Sequence, residues 1–463
     1  MITQRSLPYL TNSELYFERI RPLGNAVFLD SGRPKCPWGR FDIMAAAPVE
    51  TLELSADSDI SPFRELDSLY QRYQLDIDEN PNLPFQGGII GHFTYDLGRA
   101  IEKLPNLAEQ YTQLPDLRVG MYLWAVVTDH HKQTCSLVAT DQVANELLDQ
   151  IETLLKSETD IACDAFQLVK PFQPNMTEAE YTRKLQNVDD YIHAGDCYQV
   201  NFTQRFDSTY TGDPWQAYKQ LREVAPTPYS AFMDSEKEQI LSLSPEQFLE
   251  SKQKQVTTKP IKGTRPRSAD TEEDQALKQE LADSLKDRAE NLMIVDLLRN
   301  DLSKVCEHNS VKVPKLFNIE SYANVHHKVS TITGRLADAF SPVSLLEHCF
   351  PGGSITGAPK VRAMEIIEEL EPHRRSIYCG SIGYISLCGR MDTSITIRTL
   401  LCDDGKIYCG AGGGIVADSV ADMEYAETFS KVNNLLQCLE QTISAPPSSE
   451  GEARDDSKQN THC

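Results

Sequence analysis

Two stretches of helical pattern carry carboxylates at spacings that could hold a metal ion. In Asp287-Arg288-Ala289-Glu290-Asn291-Leu292-Met293-Ile294-Val295-Asp296-Leu297, Asp287 and Glu290 stand three apart and share a face with Ile294 and Leu297. In Asp422-Met423-Glu424-Tyr425-Ala426-Glu427-Thr428-Phe429-Ser430-Lys431, two acids and a lysine recur at spacings of 3 and 4. Taken singly, either stretch has an ordinary explanation: a solvated helix edge, or a Glu–Lys pair worth roughly 0.2–0.5 kcal/mol. If the two helices face one another, four carboxylates form an all-oxygen site suited to Mg²⁺, a hard cation that keeps several waters and is often shared with an anionic ligand.

Two further segments could serve an anionic ligand. Lys259-Pro260-Ile261-Lys262-Gly263-Thr264-Arg265-Pro266-Arg267 reads as a cationic, flexible segment that brings ammonium and guanidinium groups to a carboxylate. A lysine set among apolar or cationic neighbours can also have the lowered pKa of a nucleophile. Pro351-Gly352-Gly353-Ser354-Ile355-Thr356-Gly357-Ala358-Pro359-Lys360 and Gly410-Ala411-Gly412-Gly413-Gly414-Ile415-Val416 read as glycine-rich turns whose backbone N–H groups can approach an anion. Neither is a nucleotide fingerprint, because the first lacks a Gly-Lys-Ser/Thr ending and the second a suitably placed acid. A basic surface turn and tight structural turns are the plain alternatives.

These groups sit in a chain of 463 residues with 45 Lys+Arg and 68 Asp+Glu, a formal charge of −23. Such a charge repels a phosphate backbone, and no basic stripe interleaved with aromatics occurs, so nucleic acid is not an expected ligand. With 40% hydrophobic and 24% charged residues the chain can bury a large core. The longest clearly apolar run, Met121 to Val127, is far short of the roughly 20 residues of a spanning helix, and the N-terminus has no apolar leader. A cytoplasmic protein, neither exported nor in a membrane, is expected. The twelve scattered cysteines form no CxxC pair and read as reduced thiols.

The elements that must position the reactive groups follow from pattern. Residues 1–150 alternate short apolar runs with turn signals, as in Gly24 to Gly32 and Gln86 to Phe93, predicting mainly antiparallel strands. A helix over Gln142 to Ser157 leads out, and Pro171 to Pro174 marks a boundary. A second region over 174–441 opens on a capping box at Thr177 and Glu180, with Tyr181, Leu185, Val188 and Ile192 at helical spacing. Strand-like runs (Tyr198 to Phe206, Ser394 to Leu401, Lys406 to Cys409) then mix with helical stretches (Asp274 to Leu302, Val361 to Leu370, Ala421 to Glu440). They do not alternate strictly, which favours an α+β layer fold over a doubly wound parallel sheet. The polar, proline-bearing tail over 444–463 is expected to be disordered.

Together these stretches resemble the chorismate-utilising enzymes, the family of anthranilate synthase and aminodeoxychorismate synthase component I, isochorismate synthases and salicylate synthases. The similarity is densest from about Pro174 to Gln441. It implies two antiparallel sheets packed face to face and surrounded by helices, with chorismate bound in a deep cleft with Mg²⁺. Ser244-Pro245-Glu246 matches the motif whose glutamate is the general acid/base. Glu290 and Glu427 match the Mg²⁺ ligands, with Asp287 and Glu424 as outer or water-mediated partners. His327, Ser354, Tyr378, Arg398, Gly412, Gly414 and Lys431 fall where the family contacts substrate, Arg398 being the best fork for a carboxylate.

Two positions distinguish the members. Gln199, a substrate contact, stands where the water-adding members carry a lysine, so hydration at C2 is disfavoured. Lys262 stands where anthranilate synthases usually have alanine, and a lysine there implies a nucleophile that attacks C2 and expels the 4-hydroxyl. The expected reaction is amination of chorismate at C4 to 4-amino-4-deoxychorismate, on the way to para-aminobenzoate and folate. The alternative is that of anthranilate synthase component I, C2 amination with loss of pyruvate. No Gly-x-Cys-x-Gly glutaminase elbow occurs, so the resemblance implies ammonia from a separate glutamine amidotransferase subunit. It also implies a tryptophan pocket at Ser31, Pro228 and Tyr229, although Leu29-Asp30-Ser31 and Ala225-Pro226-Thr227-Pro228-Tyr229 depart from the usual Leu-Glu-Ser and Asn-Pro-Ser-Pro-Tyr; this argues against feedback control and leaves tryptophan as structural filling.

Overall fold

The runs Gly88–Phe93, Trp124–Asp129 and Ser381–Ser386 bury every residue, with no alternation of inward and outward faces. A strand reads this way when both faces are covered. The computed structural model, which describes residues 1–157, 164–322 and 325–443, shows what covers them. Two antiparallel sheets pack face to face, of 13 and 10 strands among the described residues. Val27, Ile43, Ala231 and Leu401 of the larger sheet meet Ile90, Tyr122, Ile382 and Tyr384 of the smaller in the layer between them. Helices cover the outer faces. Glu14–Ile20, Pro214–Val224, Lys360–Leu370 and Ala421–Glu440 pack on the larger sheet, and Pro62–Tyr73, Leu285–Ser303 and Pro342–Cys349 pack beside the smaller.

Strands of the 1–150 and 174–441 regions are neighbours in both sheets. Ala26–Asp30 pairs with Tyr229–Asp234, and Gly88–Phe93 pairs with Ser381–Ser386. The chain passes from one sheet to the other at Leu123, at Pro245-Glu246 and at Thr396-Ile397-Arg398. The last two crossings carry the glutamate and the arginine singled out above, so the topology itself brings them to one end of the sandwich.

Four expectations are corrected. The helix over Asp274 to Leu302 is two, Thr271–Asp283 and Leu285–Ser303, because Ser284 is extended and its hydroxyl accepts from the Asp287 N–H to start the second. The strand over Ser394 to Leu401 is divided, ending at Ile395 in one sheet and resuming at Thr399 in the other, with Arg398 left-handed at φ 52° between them. The flexible cationic segment is a strand, Ile261–Pro266, paired with Val325–Arg335. Its Arg265 and Arg267 are bound to Glu280 and Asp274 of the neighbouring helix, leaving Lys262 to the cleft. The second glycine-rich turn is the strand Lys406–Ile415, whose glycines serve close approach: a Cβ at Gly410 would stand 2.3 Å from the Tyr378 ring.

Other expectations hold in detail. The helix Glu178–Ala194 has the full Thr177–Glu180 capping box, and Ala421–Glu440 and Lys360–Leu370 lie where their periodicity placed them. Ten described cysteines are free thiols, and no described helix is long and apolar enough to cross a membrane. The 444–463 tail lies outside the described residues.

Candidate active site

Glu246 follows the strand Glu238–Ser244 and is pinned by its backbone, its N–H donating to Ser244 Oγ at 3.2 Å and its C=O accepting from Ile395 N at 3.1 Å. Its buried carboxylate accepts the Ser354 hydroxyl at 2.8 Å. Lys262 Nζ donates to the carbonyl of the same Ser354 at 2.9 Å, so one residue of the Gly353–Ile355 turn joins acid and amine. Burial pushes the Glu246 carboxyl up, only partly offset by Lys262 and the Ser354 hydroxyl. Burial likewise pushes the Lys262 ammonium down, against the pull of Glu246 and Glu290. Both shifts run toward a neutral acid beside a neutral amine, the forms a proton donor and a nucleophile need.

The two acidic helices do face one another. Lys286 Nζ, at the start of Leu285–Ser303, lies 4.0 Å from Glu290 Oε1 and 3.6 Å from Glu424 Oε1 of Ala421–Glu440. Lys431 Nζ binds Glu427 Oε1 at 2.6 Å and the Gly412 carbonyl at 2.8 Å. Beneath them a Cβ at Gly413 would stand 3.2 Å from Glu424 and 3.4 Å from Glu427, so that glycine is the floor on which the acids converge. Burial pushes the Glu290 carboxyl up, against Lys262 and Lys286 and with the help of Asp287 and Glu424. At Glu427 burial pushes up but the Lys431 ammonium, with Lys286 and Lys262, outweighs it, and the carboxyl is held down. Among the described residues no three such ligands already stand at metal spacing, and two ammonium groups lie among the acids. An all-carboxylate set converging from two helices and already drawing cations suits a hard divalent ion. Asp287 sits farther back under Gly263, its buried Oδ2 3.6 Å from the Arg265 guanidinium and without a hydrogen bond.

The remaining predicted residues flank these groups on paired strands and turns, and Tyr378 lines a small separate cavity with Thr203 and Gly410. Half-buried Arg398 has no described carboxylate at ion-pair distance, and desolvation alone pushes its guanidinium down. Burial and Arg398 push His327 down to about 4, giving a neutral ring whose Nδ1 lies 2.9 Å from Thr264 Oγ1. Past Cys409, the strand Lys406–Ile415 has Gln199–Thr211 on one side and, among the described residues, no strand on the other, so Gly412 and Gly414 present an open backbone edge. Buried Gln199 lies against Gly414 and leaves Oε1 unpaired, while Tyr378 is buried beneath Gly410.

Lys286 was missed by sequence reasoning. It lies in the predicted helix four residues before Glu290, where a lysine reads as one half of an ordinary surface ion pair. Ser31, Pro228 and Tyr229 lie elsewhere and line a separate cavity of about 360 Å³.

Comparison with known proteins supplies the chemistry's context. The signature described as chorismate binding enzyme matches residues 25–437. Aminodeoxychorismate synthase component 1 of Escherichia coli (strain K12) is 49% identical over 440 residues, covering 92% of this chain and 96% of its own. Anthranilate synthase component 1 of Thermus thermophilus is 40% identical over 380 residues, covering 81% and 82%. The crystal structure of anthranilate synthase component I from Streptococcus pneumoniae superposes with a TM-score of 0.75 at 32% identity, covering 86% of this chain and 92% of that one.

Proposed function

Because this chain belongs to the chorismate binding enzymes, we propose that it aminates chorismate at C4, giving 4-amino-4-deoxychorismate for para-aminobenzoate and folate synthesis. The observation that carries the reading is the pair Lys262 and Glu246, joined through Ser354 and both shifted toward neutrality. The neutral Lys262 amine attacks C2, forming a C–N bond as the ring double bonds shift and the C4–O bond breaks. Glu246 gives its proton to the departing hydroxyl, which leaves as water, and the carboxylate then takes a proton from the new ammonium adduct. Ammonia attacks C4 and the double bonds return as the C2–N bond breaks, with Glu246 giving its proton to the departing Lys262 amine and then taking one from the new C4 ammonium. The sum is chorismate plus ammonia giving product plus water.

Arg398 holds a substrate carboxylate as a fork, and neutral His327 with Gln199, Tyr378 and the Gly412–Gly414 edge fixes the ring. Mg²⁺ held by Glu290 and Glu427, with Glu424 and Asp287 behind, would supply Lewis-acid stabilisation of charge building on the ring carboxylate. Lys431 orients Glu427 from below. The C2 route of anthranilate synthase is disfavoured, because Lys262 claims C2 before ammonia arrives.

Ammonia comes from a separate glutamine amidotransferase subunit, a reading supported by the "component 1" in the relatives' names and the missing glutaminase elbow. The cavity at Ser31, Pro228 and Tyr229 takes tryptophan as structural filling. Supporting this, buried Arg390 leaves Nε and Nη1 unpaired for a carboxylate, and Asp392 is pushed up to about 7 by burial and by Glu250, a pair suited to an ammonium group.

The test is intact-protein mass spectrometry after mixing with chorismate and Mg²⁺ without ammonia, then product identification once ammonium is added. An adduct mapped to Lys262 followed by 4-amino-4-deoxychorismate supports the reading; anthranilate with no adduct overturns it. Glu246→Gln is expected to cut turnover by about 10²–10⁴-fold. It should also flatten the basic limb of the pH profile, where the proton donor ionises, while thermal stability at neutral pH holds, since an acid held above its ordinary pKa costs the folded state stability as pH rises through its raised value. Glu427→Gln is expected to raise the Mg²⁺ concentration at half-saturation by at least the roughly 10–100-fold that even outer partners of a metal cost; an unaltered Mg²⁺ titration removes Glu427 from the metal.

A further inference from the structure

Lys286 occupies the second position of the helix Leu285–Ser303, at the positive end of its dipole, where an ammonium group is disfavoured. It also precedes Glu290 by four residues, the less favourable order for a helical ion pair. Neither helix geometry nor packing accounts for its pose, since the side chain is 50% exposed. What draws it inward is Glu290 on its own helix and Glu424 in the first turn of the facing one, side chains only 15% and 6% exposed.

We propose that Lys286 is a tethered counter-ion that fills the acidic site of the metal-free chain and is displaced when a divalent cation binds. The inference rests on the metal reading above. Between the two helices the Lys286 ammonium spans the gap a cation would bridge, and its half-exposed stem gives it a way out into solvent. While it is in place the acids are kept from spreading apart by repulsion, so the cleft is held ready. Metal affinity is correspondingly lowered by the work of breaking two ammonium–carboxylate contacts. Lys431 differs: it is tied to the Gly412 carbonyl as well as to Glu427, and stays as part of the floor.

The test titrates the full chain with Mn²⁺, read by electron paramagnetic resonance, at low salt and without chorismate, so that binding is measured apart from turnover. Lys286→Gln is expected to tighten Mn²⁺ binding about fivefold, the scale of two partly exposed ion pairs, with the gain shrinking at about 0.5 M salt. Lys286→Arg, which keeps the charge, should bind Mn²⁺ no more tightly than the unaltered chain. Equal or weaker binding by Lys286→Gln overturns the proposal, as does tightening by Lys286→Arg to the same degree. If the unaltered chain binds no Mn²⁺, the metal reading fails and this inference with it; if it binds Mn²⁺ and Lys286→Gln binds alike, only this inference fails.

Discussion

Lys262→Met is expected to abolish the chorismate adduct and to lower C4 amination by at least about 10³-fold, the scale on which positioned acid–base and nucleophilic groups act. The same substitution should not unfold the chain. Burial lowers the Lys262 pKa from 10.5, so between the lowered value and 10.5 the unfolded chain binds a proton that the folded chain does not. With more protons bound in the unfolded state, stability rises with pH across that window, by at most about 1.4 kcal/mol per unit. In Lys262→Met that slope is lost, and the variant should be the more stable of the two toward the lower end of the window. Denaturant melts at a series of pH values measure this independently of turnover. Full C4 amination by the variant would refute the covalent role, and unchanged pH dependence of stability would refute the buried amine.

The second large effect belongs to Arg398. A guanidinium desolvated with no acid beside it is held at a cost to the free protein, and a substrate carboxylate is the group that relieves it. Arg398→Met should therefore raise KM for chorismate by about 30–150-fold, equivalent to about 2–3 kcal/mol for a charge-assisted pair. In the absence of substrate its thermal midpoint should be equal or higher. The rise in midpoint that chorismate confers on the unaltered protein should disappear. If chorismate stabilises the variant as strongly as before, Arg398 does not bind the substrate.

How much of this was legible in sequence varies with the kind of signal. Helices with caps and an unbroken 3.6 period, such as Glu178–Ala194 and Ala421–Glu440, stood out because the signal is local. The Ser284 break did not, since a serine inside an acidic, helix-favouring run serves equally as an interior residue or a cap. Thr396-Ile397-Arg398 has the residue types of a continuing strand, and only the demand to cross between sheets overrides that preference. The acids of the metal site were visible as spacings on two helices, whereas their confrontation needed the fold. Glu246, His327, Ser354, Tyr378 and Arg398 are single residues far apart in the chain, with no local pattern of their own. Family resemblance pointed to them, and the sheet crossings at Pro245-Glu246 and before Thr399 are the physical reason two of them share a cleft.

The interleaving of strands also sets a timetable for the nascent chain. Ala26–Asp30 leaves the ribosome long before Tyr229–Asp234, and Gly88 waits for a partner 298 positions downstream at Ser386. At about 5–20 residues per second that wait is roughly 15–60 s, during which apolar strand edges stand unpaired. Neither sheet is complete until strands near residues 390–415 have emerged, so the first 150 residues form no finished sheet on their own. Translation speed and chaperone supply then join the stability of the finished sandwich in setting how much active protein a cell obtains.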